Sequence, residues 1–116
     1  MYRLSRRQFQ RLALQAFKSL PQRFRDRLEN IALVVESRPP RKRGDSSPPI
    51  LGLYEGVPLA QREGGYPLLP DKITFYQRPI EEMCHSFEEV QEEIRRTLLH
   101  EVGHYFGLEE DELADL

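Results

Sequence analysis

Three features of the chain predict an α+β fold: amphipathic helical repeats at both ends, short β-branched runs between them, and Pro- and Gly-rich stretches separating those runs. A length of 116 residues suits one domain over residues 1–116, with no room for a second independent core. The expected arrangement is an N-terminal helix, a small mixed or antiparallel sheet, and a C-terminal helix packed on it.

The first helix has a well-marked start. Ser5 is the N-cap, Gln8 completes a capping box, and Leu4 with Phe9 forms a hydrophobic staple. Phe9, Leu12, Ala13, Ala16, Phe17 and Leu20 then recur at helical spacing, with arginines on the opposite face. Pro21 breaks the helix, and Phe24, Leu28 and Ile31 suggest one or two further turns. The run from Ile31 to Glu36 is apolar and partly β-branched, which predicts a buried strand ended by Arg38-Pro39-Pro40. Residues 38–49 are rich in Pro, Arg, Lys, Gly, Asp and Ser, so an exposed, mobile loop is expected there.

From Leu51 onward the chain reads as extended pieces joined by turns. Lys72 to Gln77 has strand composition, with Ile73 and Phe75 on one face and Thr74 and Tyr76 on the other. Arg78-Pro79 is expected to end it, and Pro79 to begin a short helix reaching Cys84. The last helix has Ser86 as N-cap and Glu89 as capping-box partner, with further glutamates near the positive end of its dipole. Its expected buried stripe is Phe87, Val90, Ile94, Leu98 and Val102. Gly107 is its natural stop, since glycine enters the left-handed cap conformation without steric cost, and the acidic tail after it is expected to be helical from Glu109.

Composition narrows the functional classes. Cys84 is the only cysteine, so disulfides are excluded and a reducing, cytoplasmic compartment is expected. No apolar run approaches the roughly 18 to 20 residues of a membrane span, and the basic start runs into an amphipathic pattern that is not a signal peptide. The net charge of −2 conceals an asymmetry, because 12 of the 17 Lys and Arg residues lie before residue 44 with only Asp26, Glu29 and Glu36 to balance them. Basic and acidic faces are expected to complement each other in part across the fold. A nucleic-acid surface is disfavoured, since no aromatics interleave the arginines and no nucleic-acid-binding motif is present.

The chemistry concentrates near the end of the last helix, in His100-Glu101-Val102-Gly103-His104. Histidines four apart on a helix point the same way and can give one zinc ion two nitrogen ligands at about 2.0 to 2.1 Å each. Glu101 lies about 100° around the helix, off the histidine line but within reach of a metal-bound water, as a general base must be. His100 points about 160° away from the buried stripe, so the pair is expected to face a cleft. Ending the helix at Gly107 lets the chain turn back so that position 110 can approach the metal, the logic of the HExxHxxGxxH motif. Glu110 occupies that position with Asp111 beside it. Twelve residues follow His104, too few for a ligand from a separate downstream helix.

Taken with Leu51-Gly-Leu-Tyr-Glu-Gly-Val-Pro-Leu59 and Leu69-Pro-Asp-Lys-Ile-Thr-Phe-Tyr-Gln-Arg-Pro-Ile80, the motif resembles that of the bacterial family of minimal zincin-like metallopeptidases. The resemblance covers almost the whole chain. It implies a zincin-like fold and zinc as cofactor, with metal ligands at His100, His104 and position 110 and the catalytic acid at Glu101. The family pattern is HExxHxxGxxD, and this chain has Glu110 where the family has Asp, with Asp111 next, so the third ligand is either Glu110 or Asp111. In zincin-like enzymes an edge strand beside the active-site helix pairs with extended substrate, and Lys72 to Gln77 is the strand expected to do so.

The function that follows is zinc-dependent hydrolysis of peptide bonds in a peptide or protein substrate, with Glu101 as general base. The alternative is a metal-binding or regulatory domain with little or no turnover. A purely structural zinc site fits less well, because such sites are usually closed by four ligands and rich in cysteine. Tyr54, Tyr76 and Tyr105 can in principle donate to an oxyanion, although packing is the commoner role of such residues. His85 is expected to be exposed, and Cys84 to be a small buried hydrophobe. Oligomeric state is not legible in the sequence.

Overall fold

The computed structural model describes residues 1–28, 30–56 and 71–108. Helix α1 spans Arg6–Lys18 and α2 Gln22–Arg25; strands β1 (Ile31–Glu36), β2 (Gly52–Glu55) and β3 (Asp71–Tyr76) follow, then helices α3 (Gln77–Glu82) and α4 (Phe87–Phe106). The three strands form one mixed sheet in the order β1-β3-β2. β3 runs parallel to β1, pairing Ile31 with Asp71 through Glu36 with Tyr76. It runs antiparallel to β2, pairing Gly52 with Phe75 through Glu55 with Lys72.

The predicted start of α1 forms in detail. The Gln8 N–H donates to Ser5 Oγ at 3.1 Å and the Ser5 N–H donates to Gln8 Oε1 at 2.9 Å, completing the box. Leu4 and Phe9 are both buried, as the staple requires. One face of the sheet carries α1 and α4, whose apolar stripes meet each other and the strands: Phe9, Leu12, Ala13 and Ala16 from α1, Val90, Ile94, Leu98 and Val102 from α4, and Val35, Ile73 and Phe75 from the sheet. That shared burial is the main force holding the layers together.

Several local expectations are corrected. β3 lies between β1 and β2, so Lys72–Gln77 is no edge strand; Thr74 and Tyr76 are buried like Ile73 and Phe75. Gln77 belongs to α3, not to the strand, and Pro79 is its third residue. A proline is tolerated anywhere in a first turn because those N–H groups have no partner in the helix. Phe87 is 37% exposed and lies outside the buried stripe, one turn ahead of the point where α4 reaches the core. The Glu89 carboxylate accepts from the His85 N–H at 3.2 Å, one residue earlier than a capping box demands, while Ser86 Oγ accepts from the Glu89 N–H as expected. Residues 37–51 contain no helix or strand, and His85 is exposed. Between the basic and acidic parts of the chain, Arg38 pairs with Glu82 at 2.6 Å on the surface.

One buried carboxylate was not anticipated. Glu81 is 0% exposed, and its oxygens accept from the Leu4 N–H at 2.8 Å, Gln77 Nε2 at 3.0 Å and Arg78 Nη1 at 2.8 Å. Gln77 Nε2 also donates to the Leu4 carbonyl at 2.9 Å, and the Tyr2 N–H donates to the Glu81 carbonyl at 3.2 Å. These bonds clasp the segment before α1 onto α3. Replacing Glu81 by Ala leaves the buried Leu4 N–H without its acceptor and Gln77 Nε2 with only the Leu4 carbonyl, with Arg78 partly rescued by solvent. The expected loss of stability in urea denaturation is about 2 to 4 kcal/mol, with Glu81→Gln less affected because it still accepts hydrogen bonds.

Candidate metal and catalytic site

Helix α4 has three distinct flanks. Val90, Ile94, Leu98 and Val102 are completely buried in the core; Thr97 and Glu101 are buried on the flank toward β2; His100 and His104 are exposed beyond them. At 100° per residue, Glu101 and Thr97 lie about 60° and 100° from the Leu98 direction and the histidines about 120° to 160°, which is the observed sequence from core to open surface. Thus the expected orientation of the histidines is found. They line a groove of about 490 Å³ between α4 and the segment entering β2, with Pro49 to Leu53 on one wall and Glu93, Arg96, Thr97 and Glu101 on the other.

The two imidazole centroids are 5.4 Å apart with the rings at 72°. Glu101 Oε1 accepts from the Tyr54 N–H at 2.8 Å and lies 3.2 Å from His104 Nδ1. With its proton on Nδ1, His104 donates to this carboxylate and keeps the Nε2 lone pair for a cation, the orientation that a hydrogen-bonded carboxylate commonly imposes on a histidine ligand. The Glu101 side chain is only 7% exposed, yet the strand amide and the imidazole satisfy it. Its neighbours across the helix, Glu93 and Arg96, pair at 3.2 Å along the same groove.

The chemistry of the donor set suits zinc. Two neighbouring imidazoles on one exposed face could supply two nitrogen ligands, half of a tetrahedral site, and a carboxylate lies one flank back. Among the described residues no group of three or more His, Cys, Asp or Glu side chains that could hold a metal is present. The third-ligand positions, Glu110 and Asp111, and the predicted tail helix from Glu109 lie outside the described residues. Gly107 takes the left-handed conformation (φ 69°, ψ 30°), with the Leu108 N–H donating to the Gly103 carbonyl at 2.9 Å and the Gly107 N–H to that of His104 at 3.3 Å. Helix α4 therefore stops and the chain turns where the motif requires.

The edge strand beside the site is β2. Because the Tyr76 N–H donates to the Leu51 carbonyl at 2.9 Å, antiparallel alternation gives the ladder bonds to Leu53 and Glu55 and turns the backbone groups of Gly52 and Tyr54 toward the other edge. One of those outward groups, the Tyr54 N–H, is the donor to Glu101. Gly52 and this amide were missed at the level of sequence. A glycine inside a strand signals close backbone approach and was a usable clue; nothing in the residue type of Tyr54 reveals what its amide does. The tyrosines serve packing: the Tyr54 hydroxyl donates to Asp71 Oδ1 at 3.3 Å, that of Tyr105 to the Arg27 carbonyl at 3.2 Å, Tyr76 is buried, and none of them lines the groove.

Over residues 28–116 the chain matches the family described as zincin-like metallopeptidase. The chain belongs to that family. The fold is also that of a solved structure from Thermo thermophilus, a conserved hypothetical protein 24% identical in sequence, with a TM-score of 0.63 over 96% of this chain and 98% of that one. No curated protein matches. This zincin-like protein is thus α+β, as expected, and its family is one of metallopeptidase-type or metal-binding domains. No helix among the described residues is long and apolar enough to cross a membrane.

Cys84 is buried, and burial pushes its thiol above the ordinary cysteine range, with Glu93 and Glu89 adding to the effect. A thiol so placed is a poor nucleophile. In native protein it is expected to react with a disulfide reagent at least about 100-fold more slowly than in urea-unfolded protein, where access and thiolate fraction are both restored.

Proposed function

We propose that this zincin-like protein is a zinc-dependent hydrolase of peptide bonds. The observation that supports it most directly is the geometry around Glu101, a buried carboxylate anchored by the Tyr54 N–H beside two groove-facing histidines. His100 and His104 would hold the metal, together with Glu110 or Asp111. Zinc in such a site lowers the pKa of bound water toward about 7 and polarises a carbonyl. The second oxygen of Glu101 takes the attacking water's proton and passes it to the leaving amine, while Oε1 stays on its anchor. His104 is kept in one ring orientation by the same carboxylate.

A peptide or protein substrate would lie extended along the outer edge of β2, where the backbone groups of Gly52 can take main-chain hydrogen bonds that do not depend on sequence. The apolar wall from Pro49 to Leu53 then offers side-chain contacts. A cytoplasmic setting suits a chain with one buried cysteine.

Glu101→Gln tests the mechanism. The change is nearly isosteric and retains an acceptor for the Tyr54 amide, so zinc affinity should stay within about tenfold while cleavage of a peptide library falls by roughly 10² to 10⁴. Undiminished cleavage rejects Glu101 as the base, and zinc binding without any cleavage by the unaltered protein favours a non-catalytic metal-binding domain.

The third ligand has its own test. Glu110 sits at the motif position and its longer arm reaches further than the family's Asp, at the cost of more rotamers to freeze. Glu110→Ala should weaken zinc binding at least about tenfold in competition with a chelator, or roughly 1.4 kcal/mol, and Asp111→Ala should change it little. The reverse ranking assigns the ligand to Asp111.

A further inference from the structure

We infer that Gly52 is a positioning residue for Glu101, acting through Thr97. A side chain at position 52 would put its Cβ 2.6 Å from Thr97 Cγ2, 3.2 Å from the Thr74 carbonyl oxygen and 3.5 Å from Glu101 Cγ. The first distance is well inside van der Waals contact, and Thr97, buried in mid-helix, can move that methyl only by exchanging between two staggered rotamers against packed neighbours. The missing side chain is therefore what lets β2 lie directly on α4.

The close approach works as a two-point register. Thr97 and Glu101 are one helical turn apart on one flank, separated by about 6 Å along the axis. Gly52 and Tyr54 are two residues apart on the same side of β2, separated by about 6.7 Å. The two repeats are similar in length, and with Gly52 seated against Thr97 and the Glu101 side-chain stem the carboxylate reaches the Tyr54 amide, where the 2.8 Å bond forms. A longer helix-to-strand distance at Gly52 stretches that bond and frees the carboxylate to choose other rotamers. The strand amide would then be exposed to solvent. No metal is needed for any of these contacts; their catalytic consequence rests on the proposed role of Glu101 as base.

The experiment follows the Tyr54 amide by hydrogen exchange in metal-free protein. Glu101→Ala removes this acceptor and gives the exchange rate of the amide without the Glu101 bond. Gly52→Ala should raise Tyr54 exchange at least about tenfold while amides in the middle of β3 stay protected. Thr97→Ser deletes the methyl that collides with the new Cβ, and adding it to Gly52→Ala should return the amide to within about threefold of its original rate. In zinc-loaded protein the same Gly52→Ala change should lower kcat/KM about 10- to 100-fold, again recovered by Thr97→Ser. Unchanged Tyr54 exchange in folded Gly52→Ala overturns the inference, as does failure of Thr97→Ser to restore it. Should Gly52→Ala not fold, the double variant decides: folded with Tyr54 protected supports the inference, unfolded or unprotected overturns it. Absence of turnover in the unaltered protein rejects the hydrolase proposal and leaves the exchange result to judge the positioning role.

Discussion

The burial of one face of α4 is the constraint on which the rest of the structure depends. Val90, Ile94, Leu98 and Val102 are all at 0% exposure, so the helix has no rotational freedom about its axis. Turning it would expose large apolar side chains, each worth about 1.5 to 3 kcal/mol in burial. With rotation fixed, the angular positions of Thr97, Glu101, His104 and His100 are fixed as well. The packed core and the histidine-bearing surface are two faces of the same twenty residues.

A second constraint acts across the helix, where β2 meets its flank. Burying a carboxylate is costly unless its oxygens are hydrogen-bonded, and at Glu101 the compensating donor is a backbone N–H on a strand edge, a group whose own burial would otherwise be unfavourable. Each group satisfies the other. The same pairing of needs recurs at α3, where Glu81 collects a backbone amide, a side-chain amide and a guanidinium and thereby ties the N-terminal segment to α3. These two glutamates differ from the others of the described residues in being almost wholly buried, and each joins elements remote in sequence.

Much of this was legible from local pattern. Ser5 with Gln8, Ser86, and Gly107 mark helix ends through interactions among residues at most five apart, and all three behave as their chemistry predicts. The HExxH spacing works for the same reason, because helical periodicity converts sequence separation directly into direction. Local pattern was less informative for the sheet. Lys72–Gln77 reads as an alternating strand suited to an edge, yet a strand's neighbours are set by pairing with distant segments, and both flanks of β3 are taken.

The sequence by itself determined the helices, the family motif, the likeness to zincin-like proteins and the residue types available for metal and proton transfer, since each is encoded within a few neighbouring positions. Only the tertiary structure decided that β2 and not β3 forms the edge beside the site, that Gly52 admits Thr97, and that the Tyr54 amide holds Glu101. The last two contacts join residues 45 and 47 apart in the chain. They depend on strand order and on helix-to-strand distance, which arise from the packing of the whole core and have no local signature.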